Sequence, residues 1–166
     1  MDERTGCWIW NINPHAKETV SWSGGCTASG PATGRGVAEW KFDGGSSRYE
    51  GALKLGRPSG KGVYTWANGS RYQGDWKDGN RTGQGTIVWF TGNRYEGGWE
   101  NGKRSGKGTM TFTSGNTYTG EWSNDLPNGQ GEAVIKGTRY AGTWLMGCYN
   151  QDGKTAWIVA NADDCK

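Results

Sequence analysis

The sequence has few of the residues that build an ordinary hydrophobic core. Leu, Ile, Val and Phe together account for 18 of the 166 residues, a number that Trp and Tyr equal between them. So low an aliphatic content is typical of disordered chains, but such chains also carry a large net charge, and here the formal charge is only +3. A conventional two-layer core of aliphatic side chains is therefore excluded. Order must come from aromatic rings and from the 31 glycines.

Other missing features exclude further classes of protein. No run of about 18 apolar residues is present, so we expect no transmembrane helix. His15 is the single histidine, and no Cys-x-x-Cys pair accompanies it, which argues against a zinc site. The small positive charge does not by itself indicate nucleic acid. We expect no metal, no cofactor and no nucleic-acid partner.

The four cysteines form two local pairs near the ends of the chain. Cys7 lies near Cys26 and Cys148 lies near Cys165, which predicts two disulfides and an exported protein, periplasmic or secreted. The alternative is four buried thiols in a reducing compartment. Because the first six residues contain no apolar segment, we expect the signal peptide of an exported protein to be missing from this sequence.

Two short motifs recur along the chain at a nearly constant interval. The Gly-x-Gly motif occurs five times, at steps of 26, 23, 23 and 23 residues, and its glycines are Gly34/Gly36, Gly60/Gly62, Gly83/Gly85, Gly106/Gly108 and Gly129/Gly131. The motif Tyr-x-Gly-x-Trp begins at Tyr72, Tyr95, Tyr118 and Tyr140, with a variant at Tyr49. Differences in length fall at one place in the unit, which marks a loop. The sequence therefore predicts a unit of strand, short loop, strand and tighter turn.

Within each unit, aromatic and polar residues alternate. In the strand that begins at Tyr72, the residues Tyr72, Gly74 and Trp76 share one face, whereas Gln73 and Asp75 point the other way. A period of two residues indicates β-strands with one aromatic face and one polar face. Charges of both signs share the polar face, which favours modest cross-strand pairs between Arg and Glu on a solvated surface.

The expected pairing of the strands explains the glycines. If Trp66 lies opposite Tyr72 across the hairpin, then Tyr64 lies opposite Gly74. In this register each bulky side chain covers a residue that has no side chain to collide with it. We therefore expect the glycines to be required for packing, and an alanine in their place to cost about 1–3 kcal/mol.

These motifs resemble those of the MORN (membrane occupation and recognition nexus) repeat family, over about Gly34 to Trp144. The resemblance implies an all-β fold: a single-layer, elongated antiparallel sheet of consecutive hairpins, twisted or curled into a groove. We expect one domain, residues 1–166, with an N-terminal cap and partial repeat (1–33), five repeats (34–144) and a C-terminal cap (145–166). The disulfides are well placed to lock both caps. Small exported bacterial MORN-repeat proteins are similar in arrangement.

The resemblance also implies a non-catalytic binding or scaffold module whose aromatic-lined groove receives a protein segment. The candidate groove residues are Tyr64, Trp66, Tyr72, Trp76, Trp89, Tyr95, Trp99, Phe112, Tyr118 and Trp122. These rings must also pack on one another, because a one-layer sheet has no other core. An alternative is an exported glycan-binding protein that stacks sugar rings on this strip.

A third alternative is attachment to a membrane surface of anionic phospholipid, through basic residues of the turns between repeats. The candidates are Arg57, Arg81, Lys103 and Arg104. A solubilising edge is the competing interpretation of the same charges. Catalysis is not expected, although a carboxylate pair such as Glu121 and Glu132 leaves room for a glycoside hydrolase or lyase. We expect a monomer or an end-to-end dimer.

Overall fold

A computed structural model of the protein describes residues 2, 6–26, 29–158 and 165. The described residues form strands and turns and contain no α-helix. The strands are β1 (Thr19–Trp22), β2 (Gly25–Cys26), β3 (Ala32–Phe42), β4 (Gly45–Lys54), β5 (Arg57–Thr65), β6 (Arg71–Lys77), β7 (Asn80–Val88), β8 (Arg94–Glu100), β9 (Lys103–Thr111), β10 (Thr117–Ser123), β11 (Leu126–Ile135), β12 (Thr138–Trp144), β13 (Cys148–Gln151) and β14 (Lys154–Trp157).

The chain forms two compact units, residues 1–83 and 84–166, and the boundary falls inside β7. In the first unit the strand order is β1-β3-β4-β5-β6, with β2 also paired to β3. In the second unit the order is β8-β9-β10-β11-β12, and β13 and β14 form a separate two-stranded sheet. Pairing between neighbours in the sequence confirms the predicted antiparallel sheet of consecutive hairpins.

The predicted register of the hairpins is wrong by two residues. Tyr64 lies opposite Tyr72 and not opposite Gly74. The reason is the way the loop closes: the amide of Trp66 donates to the carbonyl of Ser70 at 2.9 Å. The hairpin is thus closed four residues after Trp66, before the chain reaches Tyr72.

The glycines nevertheless make room for aromatic rings, because Tyr49, Tyr95 and Tyr118 each lie along their own strand over a pair of glycines. A Cβ built on Gly51 would lie 2.5 Å from the Tyr49 hydroxyl, and one on Gly62, in the next strand, 2.6 Å from the same ring. Gly51 and Gly62 are opposite each other in the ladder. In the second unit, a Cβ on Gly108 would lie 2.6 Å from the ring of Tyr95. No real Cβ sits this close to another atom, so these positions are restricted to glycine.

The tyrosine hydroxyls satisfy carbonyl groups where the ladder is irregular. Tyr95 donates to the carbonyl of Gly98 at 3.0 Å, and Tyr118 donates to that of Glu121 at 2.9 Å. Gly98 and Glu121 are the residues at which the pairing register shifts in β8 and β10. A buried carbonyl without a partner is costly, so the hydroxyl explains why tyrosine and not phenylalanine begins the motif.

The tryptophans link one tyrosine to the next and complete the core. Trp122 makes T-shaped contacts with Tyr118, at 5.2 Å between ring centres, and with Tyr95, at 5.1 Å. Its indole N–H donates to the carbonyl of Gly108 at 3.1 Å. Tyr118 in turn contacts Trp144, at 5.1 Å. Edge-to-face contact is the favoured geometry for aromatic pairs, and the series forms a continuous buried row.

Both predicted disulfides are present: Cys7 is bonded to Cys26 and Cys148 to Cys165. The first joins the N-terminal segment to β2, where Cys26 takes the place that Trp has in the repeats. Trp22 takes the place of the tyrosine in the same strand pair, and its indole N–H donates to the carbonyl three residues later, at 3.1 Å. The N-terminal cap is therefore a chemically altered copy of the repeat.

At the other end the repeat is interrupted at Gln151. In the preceding copy the equivalent residue is Gly129, whose φ is +116°. Glutamine adopts positive φ at a cost, and here the chain turns back at Asp152 to form β14 instead of continuing along β12. The side-chain amide of Gln151 donates to the carbonyl of Thr143 in β12 at 3.2 Å.

The close approach of the tyrosine rings to the repeat glycines predicts a specific loss of stability when a glycine is replaced. Gly108→Ala places a methyl group against the ring of Tyr95, and we expect its free energy of unfolding to fall by about 1–3 kcal/mol. Gly25→Ala is the control, because a Cβ there meets nothing within 4 Å. Chemical denaturation followed by circular dichroism measures both, and equal stability of the two variants would contradict this account.

The buried hydroxyls predict loss of stability at alkaline pH. Burial raises the pKa of Tyr49, Tyr64 and Tyr95 to about 12, and it raises the pKa of Tyr72 and Tyr118 as well. Because the ordinary pKa is about 10, this contribution to stability is complete below pH 10 and is lost as the pH rises through the folded-state values. A tyrosinate absorbance titration should show delayed ionisation of these residues; complete ionisation near pH 10 in the folded protein would refute it.

Candidate functional site

Most of the predicted ligand-binding strip lies in the core. Seven of the ten rings are buried: Tyr64, Tyr72, Trp76, Tyr95, Trp99, Tyr118 and Trp122. The other three, Trp66, Trp89 and Phe112, are half-buried, and they occupy the same position of successive repeats, just before the hairpin loop. Packing within the core therefore accounts for seven of the ten predicted rings.

Arg104, predicted to face an anionic surface, is instead buried, with 7% of its area exposed. Its Nε lies 3.0 Å from Oδ1 of Asp125, and its guanidinium also donates to the backbone carbonyl of Asp125 at 2.7 Å. The guanidinium carbon lies 4.5 Å from the ring centre of Trp122. A cation held in this way stabilises the fold.

The other three basic candidates differ in exposure. Arg81 is half-buried, and its guanidinium carbon lies 5.7 Å from the ring centre of Tyr72. Arg57 and Lys103 are exposed. The sequence contained a sign of the inward position of Arg81 and Arg104. Both occupy the repeat position of Pro58, at steps of 23 residues, and Pro58 is fully buried.

The opposite face carries exposed arginine–carboxylate pairs, two within a strand and one across strands as predicted. Arg48 pairs with Glu50 at 2.8 Å and Arg94 pairs with Glu96, in each case within one strand. Arg139 pairs across the ladder with Glu132 at 2.6 Å. Such exposed pairs contribute little to stability, and they leave this face polar and hydrated.

The polar face of the second unit contains an open cleft of about 970 Å³. Glycine backbone forms much of its floor, and polar side chains project from the neighbouring strands. Among the lining residues are Glu96, Lys107, Thr119, Glu121, Gln130 and Glu132. This cleft is therefore lined by polar side chains and glycine backbone, and none of the rings of the predicted strip lines it.

Hydrogen bonds hold several cleft side chains in place. The hydroxyls of Thr109 and Thr119 lie 3.0 Å apart on adjacent strands. The side-chain amide of Gln130 donates to the hydroxyl of Thr143 at 2.8 Å, and its backbone amide donates to the carboxylate of Glu121, also at 2.8 Å. Side chains fixed in this way lose little further freedom when a ligand binds.

The carboxylates of the cleft do not form an evident acid–base pair. Glu121 and Glu132 both line it, but a general acid requires a raised pKa. The hydrogen bond from Arg139 lowers the pKa of Glu132 instead. Among the described residues, no group of three or more His, Cys, Asp or Glu side chains is arranged to hold a metal ion.

The family model of the MORN repeat matches four consecutive segments, residues 49–71, 72–94, 95–117 and 118–134. The chain belongs to the MORN-repeat family. The matches cover just over half of it, and MORN repeats are in general non-catalytic binding or scaffold modules. A comparison with curated proteins gives no match. Within the described part of this MORN-repeat protein, no helix is long and apolar enough to span a membrane.

Sequence reasoning missed two exposed tryptophans of this MORN-repeat protein. Trp8 and Trp10 lie outside the repeats, in the segment attached by Cys7, and both rest on turns between repeats. Their spacing of two residues, which places both on one side of an extended segment, was the available signal.

The environment of Arg104 predicts that its charge supports the fold. Arg104→Met keeps an unbranched apolar stem but removes the guanidinium group, and with it the ion pair with Asp125 and the contact with Trp122. We expect the free energy of unfolding to fall by about 2 kcal/mol. Lys103→Met, at the exposed neighbouring position, is the control and should leave stability unchanged within error. Urea denaturation distinguishes the two, and a larger effect at Lys103 would show that the assignment is wrong.

Proposed function

We propose that this protein is a non-catalytic binding module that holds an extended segment of a partner protein in the polar cleft of its second unit. The cleft carries this proposal, because it is a large concave surface built from fixed side chains with both donors and acceptors. The partner segment lies against the polar side chains, and the aromatic row behind the sheet keeps their positions fixed.

The chemistry of the cleft suits an extended peptide. Hydroxyl and amide groups, as in Thr119 and Gln130, both donate and accept hydrogen bonds, whereas Glu121 accepts and Lys107 donates. These groups recur every second residue along a strand, and the strands are about 4.8 Å apart. An extended peptide presents its own amides, carbonyls and side chains at a similar interval, so that many contacts form at once.

The two alternative ligands have less support at the sites first expected for them. Sugar stacking on the aromatic strip requires exposed ring faces, and seven of those rings are buried. Attachment to anionic lipid through the turns requires free cations, and Arg104 is engaged by Asp125 and Trp122. Both alternatives enter the test below as competing outcomes.

We also propose that the module works outside the reducing interior of the cell. Both disulfides are formed, and Cys7 and Cys165 are buried. Disulfides persist in oxidising compartments such as the periplasm or the extracellular medium.

Selection of peptides from a phage-displayed random library tests the cleft. Thr119→Arg introduces a long charged side chain into it, and we expect the selected peptides to bind this variant at least about tenfold more weakly. Gln73→Arg is the matched control, because Gln73 has the same place in its repeat, next to the tyrosine, but lies in the first unit. It should bind the peptides as the unchanged protein does. Biolayer interferometry gives the affinities.

The same two variants are then compared on a glycan array and on vesicles that contain phosphatidylserine. Loss of peptide binding in Thr119→Arg alone supports the proposal. Equal peptide binding by both variants, failure to select any peptide, or binding to glycans or vesicles in place of peptides overturns it.

A further inference from the structure

In the first unit, two tryptophans lie on the turns between repeats. A Cβ built on Gly56 would lie 2.8 Å from the ring of Trp8, and one built on Gly79 would lie 2.7 Å from the ring of Trp10. Gly56 and Gly79 occupy the same place in successive turns, 23 residues apart. Each indole thus lies directly on the backbone of a turn.

The segment that carries the two tryptophans is firmly held. The amide of Trp8 donates to the carbonyl of Gly30, and the amide of Trp10 donates to that of Gly56 at 2.9 Å. The neighbouring residue Cys7 is bonded to Cys26. Because the backbone on both sides is fixed, the rings need no ordering when a ligand arrives, which favours binding.

Both indoles keep a large exposed surface although their inner sides are covered. Trp8 is 41% exposed and Trp10 is 39% exposed, and they are among the largest apolar side chains on the surface. The guanidinium carbon of Arg57 lies 5.6 Å from the ring centre of Trp10. Fixed rings with open surfaces and an adjacent cation form a ready-made platform, which we name the tryptophan platform (Trp8, Trp10 and Arg57).

The charge of the two turns beneath the platform is positive. The two turns beneath it contribute three exposed cations, Lys54, Arg57 and Lys77, and one exposed carboxylate, Asp78. A ligand that combines apolar ring faces with negative charge is complementary to this surface. Sugar rings have apolar faces that stack on indoles, and carboxylates form paired hydrogen bonds with guanidinium groups.

We propose that the tryptophan platform binds an acidic polysaccharide, a chain of uronic acid residues. Two consecutive sugar rings stack on Trp8 and Trp10, and the carboxylate of one of them pairs with Arg57. Lys54 and Lys77 attract neighbouring carboxylates along the chain. This site and its ligand class are independent of the peptide cleft proposed above.

Single-stranded nucleic acid is the competing occupant, because it also combines stacking faces with negative charge. The disulfide next to the platform favours the polysaccharide, since it indicates a compartment in which exported polymers, and not nucleic acids, are the common polyanions. Nucleic acid therefore enters the test as an outcome that contradicts the proposal.

Isothermal titration calorimetry with an alginate hexasaccharide tests the platform. We expect Trp8→Ala and Trp10→Ala each to weaken binding about tenfold or more, and Trp10→Tyr, which keeps an aromatic face, to weaken it less. Trp157→Ala is the matched control, since Trp157 is exposed to a similar extent but lies in β14 of the second unit. It should bind as the unchanged protein does.

Arg57→Gln separates the charge from the rings. We expect this variant to bind the alginate hexasaccharide about fivefold more weakly and to lose the preference for it over the neutral cellohexaose. Thermal unfolding by circular dichroism verifies that each variant is folded. The proposal is overturned if the folded Trp8→Ala and Trp10→Ala variants bind normally, if cellohexaose binds as tightly as alginate, if oligo(dT) binds more tightly, or if the unchanged protein binds no alginate.

Discussion

The contact between a tyrosine ring and two glycines on adjacent strands is the interaction on which the rest of the structure depends. The ring can lie flat along its strand only where both positions lack a side chain, as at Gly51 and Gly62. The hydroxyl then reaches a carbonyl three residues further on, and the next tryptophan packs edge-on against the ring, as Trp122 does against Tyr95. The aromatic core, the register shifts in the strands and the spacing of tyrosine and glycine in the repeat thus all follow from this one contact.

This arrangement divides the surface between structural and functional work. Most of the rings of the predicted strip are used for packing, and the polar face and the turns are the surfaces on which our two proposals rest. Arg104 is likewise used for packing, because its guanidinium group lies against the ring of Trp122 in the aromatic core. Outside the repeats, Trp8 and Trp10 each keep a large exposed ring surface.

The sequence predicts the strands, the repeat and both disulfides because each leaves a local mark: alternation, a 23-residue spacing and cysteines paired near the ends. The register escapes prediction for a physical reason. A slip of one residue would exchange the two faces of a strand, but a slip of two leaves every ring on its own face. Only the closure of the loop between Trp66 and Ser70 decides between these registers. The burial of Arg104 depends on contacts with Asp125, which residue type alone does not reveal.

The replacement of a repeat glycine by Gln151 has a consequence for the edge of the sheet at β12. An array of identical hairpins has no inherent end, since each copy leaves a strand that another copy, or another molecule, can extend. Here a side-chain amide occupies the place of an incoming backbone at Thr143, and the chain folds away from the open edge. A single side chain thereby competes with a backbone strand for the carbonyl of Thr143, which hinders a further strand from pairing at this point of β12.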